Sequence, residues 1–171
     1  MWRSYYGHKP LALFGELVEL LRDQYHVPFR RACAGAYYAA QAAVVFQRGH
    51  DRGEYERALP DLKRYYSIVR RGSDAPFDRG SDAPFDVEKS AQLELEWWIV
   101  HRERDRRKPG GLARALAGLQ AEIYHCPQDR LVSHAKARAM LIRDSRAAAG
   151  GVTEPDWERI GALLDTSWVS P

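Results

Sequence analysis

A chain of 171 residues has room for one domain with a proper core and too little for two ordinary ones. Its formal charge of +3 and its pI near 8.9 arise from basic and acidic residues interleaved along the whole length. That pattern leaves no electrostatic footprint for nucleic acid, which is not expected as a partner. The two cysteines, Cys33 and Cys126, have neither metal-knuckle nor redox-pair spacing, and no apolar run approaches eighteen residues, so the expectation is a cytoplasmic protein that does not span a membrane.

The first predicted helix starts at Pro10, where a missing N–H costs nothing, and runs to Tyr25 with Leu13, Phe14, Leu17, Leu20 and Leu21 along one side. Val27-Pro28 breaks it. The second covers Phe29 to Arg48, and Gly49 is expected to end it in the left-handed conformation. Small residues at Ala32, Gly35 or Ala36, Ala39 and Ala43 line one face of this helix, so another helix can approach its backbone closely. A third spans Glu54 to Arg70, with Pro60 either starting its main part or kinking it, and with Leu59, Leu62, Tyr65 or Tyr66 and Val69 facing inward.

Arg71 to Asp78 reads RGSDAPFD, and Arg79 to Asp86 repeats the same eight residues. Two copies of so short a unit do not make a solenoid, and their Gly, Ser, Asp and Pro content reads as loop. Doubling such a loop costs only about 0.6 kcal/mol in closure entropy, whereas a core cannot absorb the insertion. The expectation is an exposed connection over 71–86 with one of Phe77 and Phe85 anchored.

Asp86 is placed to cap a fourth helix from Val87 to Arg107, ended by Pro109-Gly110-Gly111. A fifth carries Leu112, Leu116, Leu119 and Ile123. A sixth carries Val132, Ala135, Ala139 and Ile142 up to Gly150-Gly151, and a seventh is capped by Thr153 with Asp156 three residues on, its inner face being Trp157, Ile160, Leu164 and Trp168. No stretch alternates with period two. The reading is therefore all-α: one helical domain over residues 1–171, a bundle of six or seven helices around the helix that bears Trp97 and Trp98.

That central helix is apolar nearly all round from Leu93 to Val100, which requires neighbours on most sides, yet it carries Glu94, Glu96 and His101. Polar groups taken out of water must find partners. For the two glutamates Arg64, Arg102 and Arg138 are the candidate cations, and for His101 a backbone carbonyl, carboxylate or tyrosine. The excess of aromatic and polar groups on inner helices predicts a binding module, its site formed by Tyr37, Tyr38, Glu94, Trp97, Trp98 and His101. The occupant is a small molecule or another protein chain, with self-association open and no cofactor specified.

The alternative is an acid–base or metal-dependent enzyme using Glu94, Glu96 and His101, since residues seven apart share a helix face. Carboxylate-bundle metal sites need two Glu-x-x-His pairs, and only Glu122 to His125 fits, at a helix end, so no metal ligands are assigned. Neither a nucleophile elbow nor a phosphate loop occurs, and no catalytic residues are assigned. The stretch Arg31 to Ala40, RACAGAYYAA, resembles the Arg-rich, Tyr-Tyr-Ala helix of HEPN domains, which implies a small helical module associated with nucleotidyltransferases or RNA cleavage. The nuclease pattern of that family, an Arg followed after four to six residues by His, is matched only by Arg3 and His8, ahead of the first helix, so its catalytic pair is not carried over.

Overall fold

In the computed structural model the described residues are 10–72, 85–103, 110–125 and 132–168; Arg3 and His8, Phe77 and Cys126 lie outside them. The protein is an all-α helical bundle. Its helices are α1 (Pro10–Asp23), α2 (Phe29–Arg48), α3 (Arg52–Glu56), α4 (Leu59–Gly72), α5 (Val87–Arg102), α6 (Gly111–Tyr124), α7 (Val132–Ala148) and α8 (Glu154–Trp168). Each long helix packs mainly on its neighbours in the chain: α1 on α2, α2 on α4, α4 on α5, then α5 on α6, α6 on α7 and α7 on α8. The short α3 bridges α2 and α5.

Local chemistry explains most of the ends. Phe29–Arg48 forms with the expected limits, and the Asp86 carboxylate accepts from the Lys89 N–H at 3.0 Å to cap α5. The third predicted helix is two, α3 capped by Asp51 and α4 starting at Leu59, with Pro60 in its first turn where no N–H is needed. At α8 the Asp156 carboxylate accepts from both the N–H and the hydroxyl of Thr153, so the capping box is present with its hydroxyl turned to donor.

Gly49 corrects an expectation. Its φ of −72° and ψ of 152° are extended rather than left-handed. Glycine is required there by crowding: a Cβ would stand 2.9 Å from the Tyr55 ring and 3.2 Å from the Glu54 Cβ. Positive φ follows other helices instead: two histidines, His26 and His125, both with φ of 49°, and Gly150 after α7 with φ of 107°.

Two apolar cores share α5. The larger one joins α1 to α5 through Leu21, Val27, Leu62, Tyr66, Val69, Leu95 and Ile99, with Leu119 and Ile123 of α6 closing it. The smaller joins Leu112, Ala113 and Leu116 of α6 to Ala137 and Met140 of α7. Trp97 packs against both. Fully burying a side chain such as Leu21 or Leu116 is worth roughly 1.5–3 kcal/mol, so the residues linking the two cores matter disproportionately. The predicted small-residue face of α2 is its inner face: Ala32, Gly35 and Ala36 are buried, and a Cβ on Gly35 would come within 2.9 Å of Leu21 of α1 and 3.4 Å of Ile68 of α4. Val132, Ala135 and Trp168, assigned to inner faces from sequence, have side chains outside the described set.

The ends of the octapeptide duplication belong to folded elements. Arg71 and Gly72 form the last turn of α4, and Gly72 lies against Val27 so tightly that a Cβ would run into that side chain. Phe85 is buried, edge-on to Tyr66 at 6.0 Å, and Asp86 is the α5 cap. The connection thus takes its Arg-Gly from the first copy and its Phe-Asp from the second.

Candidate functional site

Helix α5 carries the polar groups singled out from sequence, and packing on α3, α4 and α6 partly encloses them. Glu94 is half-buried and faces α4. Its two carboxylate oxygens accept from the Tyr66 hydroxyl at 2.9 Å and from the Trp98 indole N–H at 2.9 Å. Tyr25 of the α1 exit, Tyr65 and Tyr66 of α4 and Tyr124 at the end of α6 gather round this carboxylate. Burial, followed by the nearby Tyr124 and Tyr65 hydroxyls, pushes the Tyr25 phenol well above its usual range; for Tyr65 and Tyr66 burial acts first and the charge of Glu94 second. All three stay protonated phenols across ordinary pH, able to donate to an anion. Tyr25 also hydrogen-bonds to Tyr124.

The expected arginine partners are not the ones used. Glu96 is paired at 2.9 Å with Arg52 of α3, on the surface. Arg64 pairs with Asp61 one turn earlier on α4. The Arg102 guanidinium donates to the carbonyls of Phe46 and Gln47 at the end of α2, 2.6 and 3.1 Å away, while lying over the rings of Phe46 and Tyr55. Arg138 is exposed. The physical reason is depth: Glu94 points between helices, where a phenol and an indole satisfy it without burying a second charge.

His101 lies two turns further along α5. Its Nε2 is 3.0 Å from the carboxylate of Asp144 on α7, whose side chain is 5% exposed, and Arg143 donates to the other Asp144 oxygen at 2.9 Å. A carboxylate partner fixes the tautomer protonated at Nε2, which leaves Nδ1 as an acceptor in the neutral ring.

Between these two groups stands Trp97. Its ring is edge-on to Trp98 at 6.2 Å and tilted against His101 at 6.4 Å, and the Lys136 ammonium of α7 lies 5.6 Å from its centre. Burial lowers the Lys136 pKa, opposed by the charge of Glu94. The Trp97 indole N–H is buried and has no hydrogen-bond acceptor among the described residues, unlike that of Trp98. Leaving such a donor unmade costs about 1–3 kcal/mol.

The six residues named from sequence fall into two places. Glu94, Trp97, Trp98 and His101 form one cluster. Tyr37 and Tyr38 lie on α2 with different partners: Tyr37 is exposed and its hydroxyl accepts from Gln41 at 2.9 Å, and Tyr38 lies under the Arg64 guanidinium of α4. Sequence reading missed the tyrosine nest, Lys136 and Asp144. A usable signal existed for the tyrosines, because Tyr65 and Tyr66 stand in the middle of α4 on its inner side and a buried phenol needs an acceptor. Nothing local points to Asp144, which reads as an ordinary polar residue near the end of its helix.

Glu122, half of the local Glu-x-x-His pair, is engaged elsewhere. It accepts from the Asp86 N–H at 3.0 Å and from the Lys89 ammonium at 2.7 Å, tying α6 to the start of α5. Burial works to raise its pKa, and these two donors outweigh it, so the carboxyl lies below its ordinary value. Among the described residues no group of three or more His, Cys, Asp or Glu is placed to hold a metal ion, and no helix is long and apolar enough to cross a membrane. No protein-family model, curated protein or solved structure matches the chain.

Proposed function

We propose that the protein works by binding a small organic molecule at the junction of the two cores, where Trp97, Lys136 and His101 meet. The observation that carries this reading is the buried Trp97 N–H, which has no acceptor among the described residues and lies in a ring otherwise packed on both sides. An acceptor-bearing group, a carboxylate or phosphate above all, satisfies that donor and gives the Lys136 ammonium a counter-charge. The aromatic face supplies contact area, and His101, held by Asp144, offers a fixed polar group that selects orientation. Native mass spectrometry of the purified protein tests the reading directly. A bound species under about 1 kDa is expected on the wild type and lost on Trp97→Phe, which keeps most of the ring and deletes the donor. A bare mass for the wild type, with Trp97→Phe as stable or more stable, would overturn it.

A second reading, acid–base catalysis by Glu94, Glu96 and His101, draws support from the His101–Asp144 pair alone, a fixed imidazole beside a buried carboxylate. Glu96 is already paired on the surface and Glu94 already holds two donors. Metal analysis and loss of any turnover on His101→Gln are its tests. The RNA-associated reading calls for a continuous basic face. Arg52, Lys63, Arg64, Lys89, Arg143 and Arg146 are each paired with an acid instead, which lends it no support.

A further inference from the structure

The outward side of α2 breaks the usual pattern of a surface helix. From Ala32 to Gln47 there are sixteen consecutive residues without a charge, and the inner face of the helix is already used on α1 and α4. At 100° per residue, Phe29, Cys33, Tyr37, Ala40 and Val44 fall within a sector of about 80° on the flank of that inner face, where Cys33 is half-buried against the core and the Arg22 guanidinium lies over the Phe29 ring. Phe29 is 60% exposed, Tyr37 53% and Val44 40%, which places three large apolar side chains on one face. Cys33, Tyr37, Ala40 and Val44 follow one another at steps of four, three and four, the spacing with which one helix meets another along a seam. Small residues at 33 and 40 leave hollows between the large ones. The Tyr37 ring is held by its bond from Gln41 and by edge contact with Tyr38 at 5.6 Å.

Charge selects the occupant. Arg30 and Arg48 flank the seam on the same side, eighteen residues or about 27 Å apart along the axis. Neither has an ion-pair partner among the described residues, and α2 contains no acid. We propose that this face docks an amphipathic helix of another protein, its apolar side filling the hollows and its carboxylates, near both ends, meeting Arg30 and Arg48. A second copy of this chain fits worse. Antiparallel pairing about a two-fold axis sets Arg30 beside Arg48 of the other copy, and parallel pairing sets Arg30 on Arg30 and Tyr37 on Tyr37. An anionic bilayer fits worse too, since neighbouring α1 exposes Glu19 and Asp23 and the seam is narrow and pitted. The proposal uses other residues than the Trp97 site and stands or falls without it.

The test is fluorescence anisotropy of the full chain with a labelled synthetic helix of about three heptads, leucine and alanine on its seam and glutamate in its first and last turns. Binding in the micromolar range is expected, weakened at least about tenfold by Val44→Glu and by the double change Arg30→Glu with Arg48→Glu, reduced in high salt, and unmoved by Leu141→Glu on α7. Circular dichroism confirms that the exposed substitutions leave the fold intact. Equal binding of a lysine-for-glutamate peptide, or undiminished binding to Val44→Glu, overturns the proposal. So does a dimer that Val44→Glu dissociates, or capture by phosphatidylserine vesicles in place of the peptide.

Discussion

Replacing Glu94 by Gln keeps the side chain's shape and removes half of its accepting capacity. The carboxylate takes one bond from Tyr66 and one from Trp98, each 2.9 Å long. A glutamine offers one oxygen to one of these donors and turns an NH2 toward the other, so one charge-assisted bond, about 1.5–3 kcal/mol, is lost and the surviving one becomes neutral. The expected destabilisation is about 3 kcal/mol, which for a chain of this size lowers the melting temperature by roughly 6–12 °C. Tyr66→Phe removes only one of the two bonds and costs about 1–2 kcal/mol. Because Glu94→Gln already leaves one donor without its acceptor, the double variant is expected to fall short of the sum by at least about 1 kcal/mol. Urea unfolding followed by tryptophan fluorescence measures all three. A Glu94→Gln variant within about 0.5 kcal/mol of wild type, with additive effects, would show that the carboxylate organises nothing.

The raised pKa values of Tyr25, Tyr65 and Tyr66 set the pH dependence. Below about pH 10 folded and unfolded chains hold these protons equally; above it the unfolded chain releases them first, so stability falls, by up to about 4 kcal/mol per pH unit for three phenols. Lys136 has the opposite sign: its lowered pKa means stability rises as pH climbs from the folded value to the ordinary lysine value of 10.5, a gain that is largely complete where the loss from the phenols begins. Urea midpoints between pH 8 and 11.5 that stay flat past pH 10.5 would contradict the burial of the nest. Excising residues 73–80 joins Gly72 to Ser81 and restores a single octapeptide that still supplies both Gly72 against Val27 and the Phe85-Asp86 anchor. The connection between Gly72 and Phe85 drops from twelve residues to four, so the shortened chain is expected to fold and to gain about 1 kcal/mol by chemical denaturation, and failure to fold would mean the second copy does more than lengthen the connection. Ser90 is wholly buried in the first turn of α5 and its hydroxyl has no partner among the described residues. Ser90→Ala, which removes that hydroxyl and favours the helix, is expected to stabilise by about 1 kcal/mol, read as a rise in the urea midpoint.

The amino-acid sequence by itself determined the helical class, most helix limits and the inner faces, because periodicity, caps and breakers act within a few residues of where they stand. Phe29–Arg48, the Asp86 cap and the Leu112, Leu116, Leu119 and Ile123 stripe all rest on such short-range chemistry. It also marked Glu94 and His101 as polar groups that had to find partners. Which partners they found was decided by packing: Tyr66 lies 28 positions from Glu94 and Asp144 lies 43 from His101, and no local rule relates residues so far apart. The same holds for Gly49, whose absent side chain answers to Tyr55 across a turn rather than to its own dihedral angles. Burial is a property of the assembled helices, and so the chemistry of a buried group is fixed only when they meet.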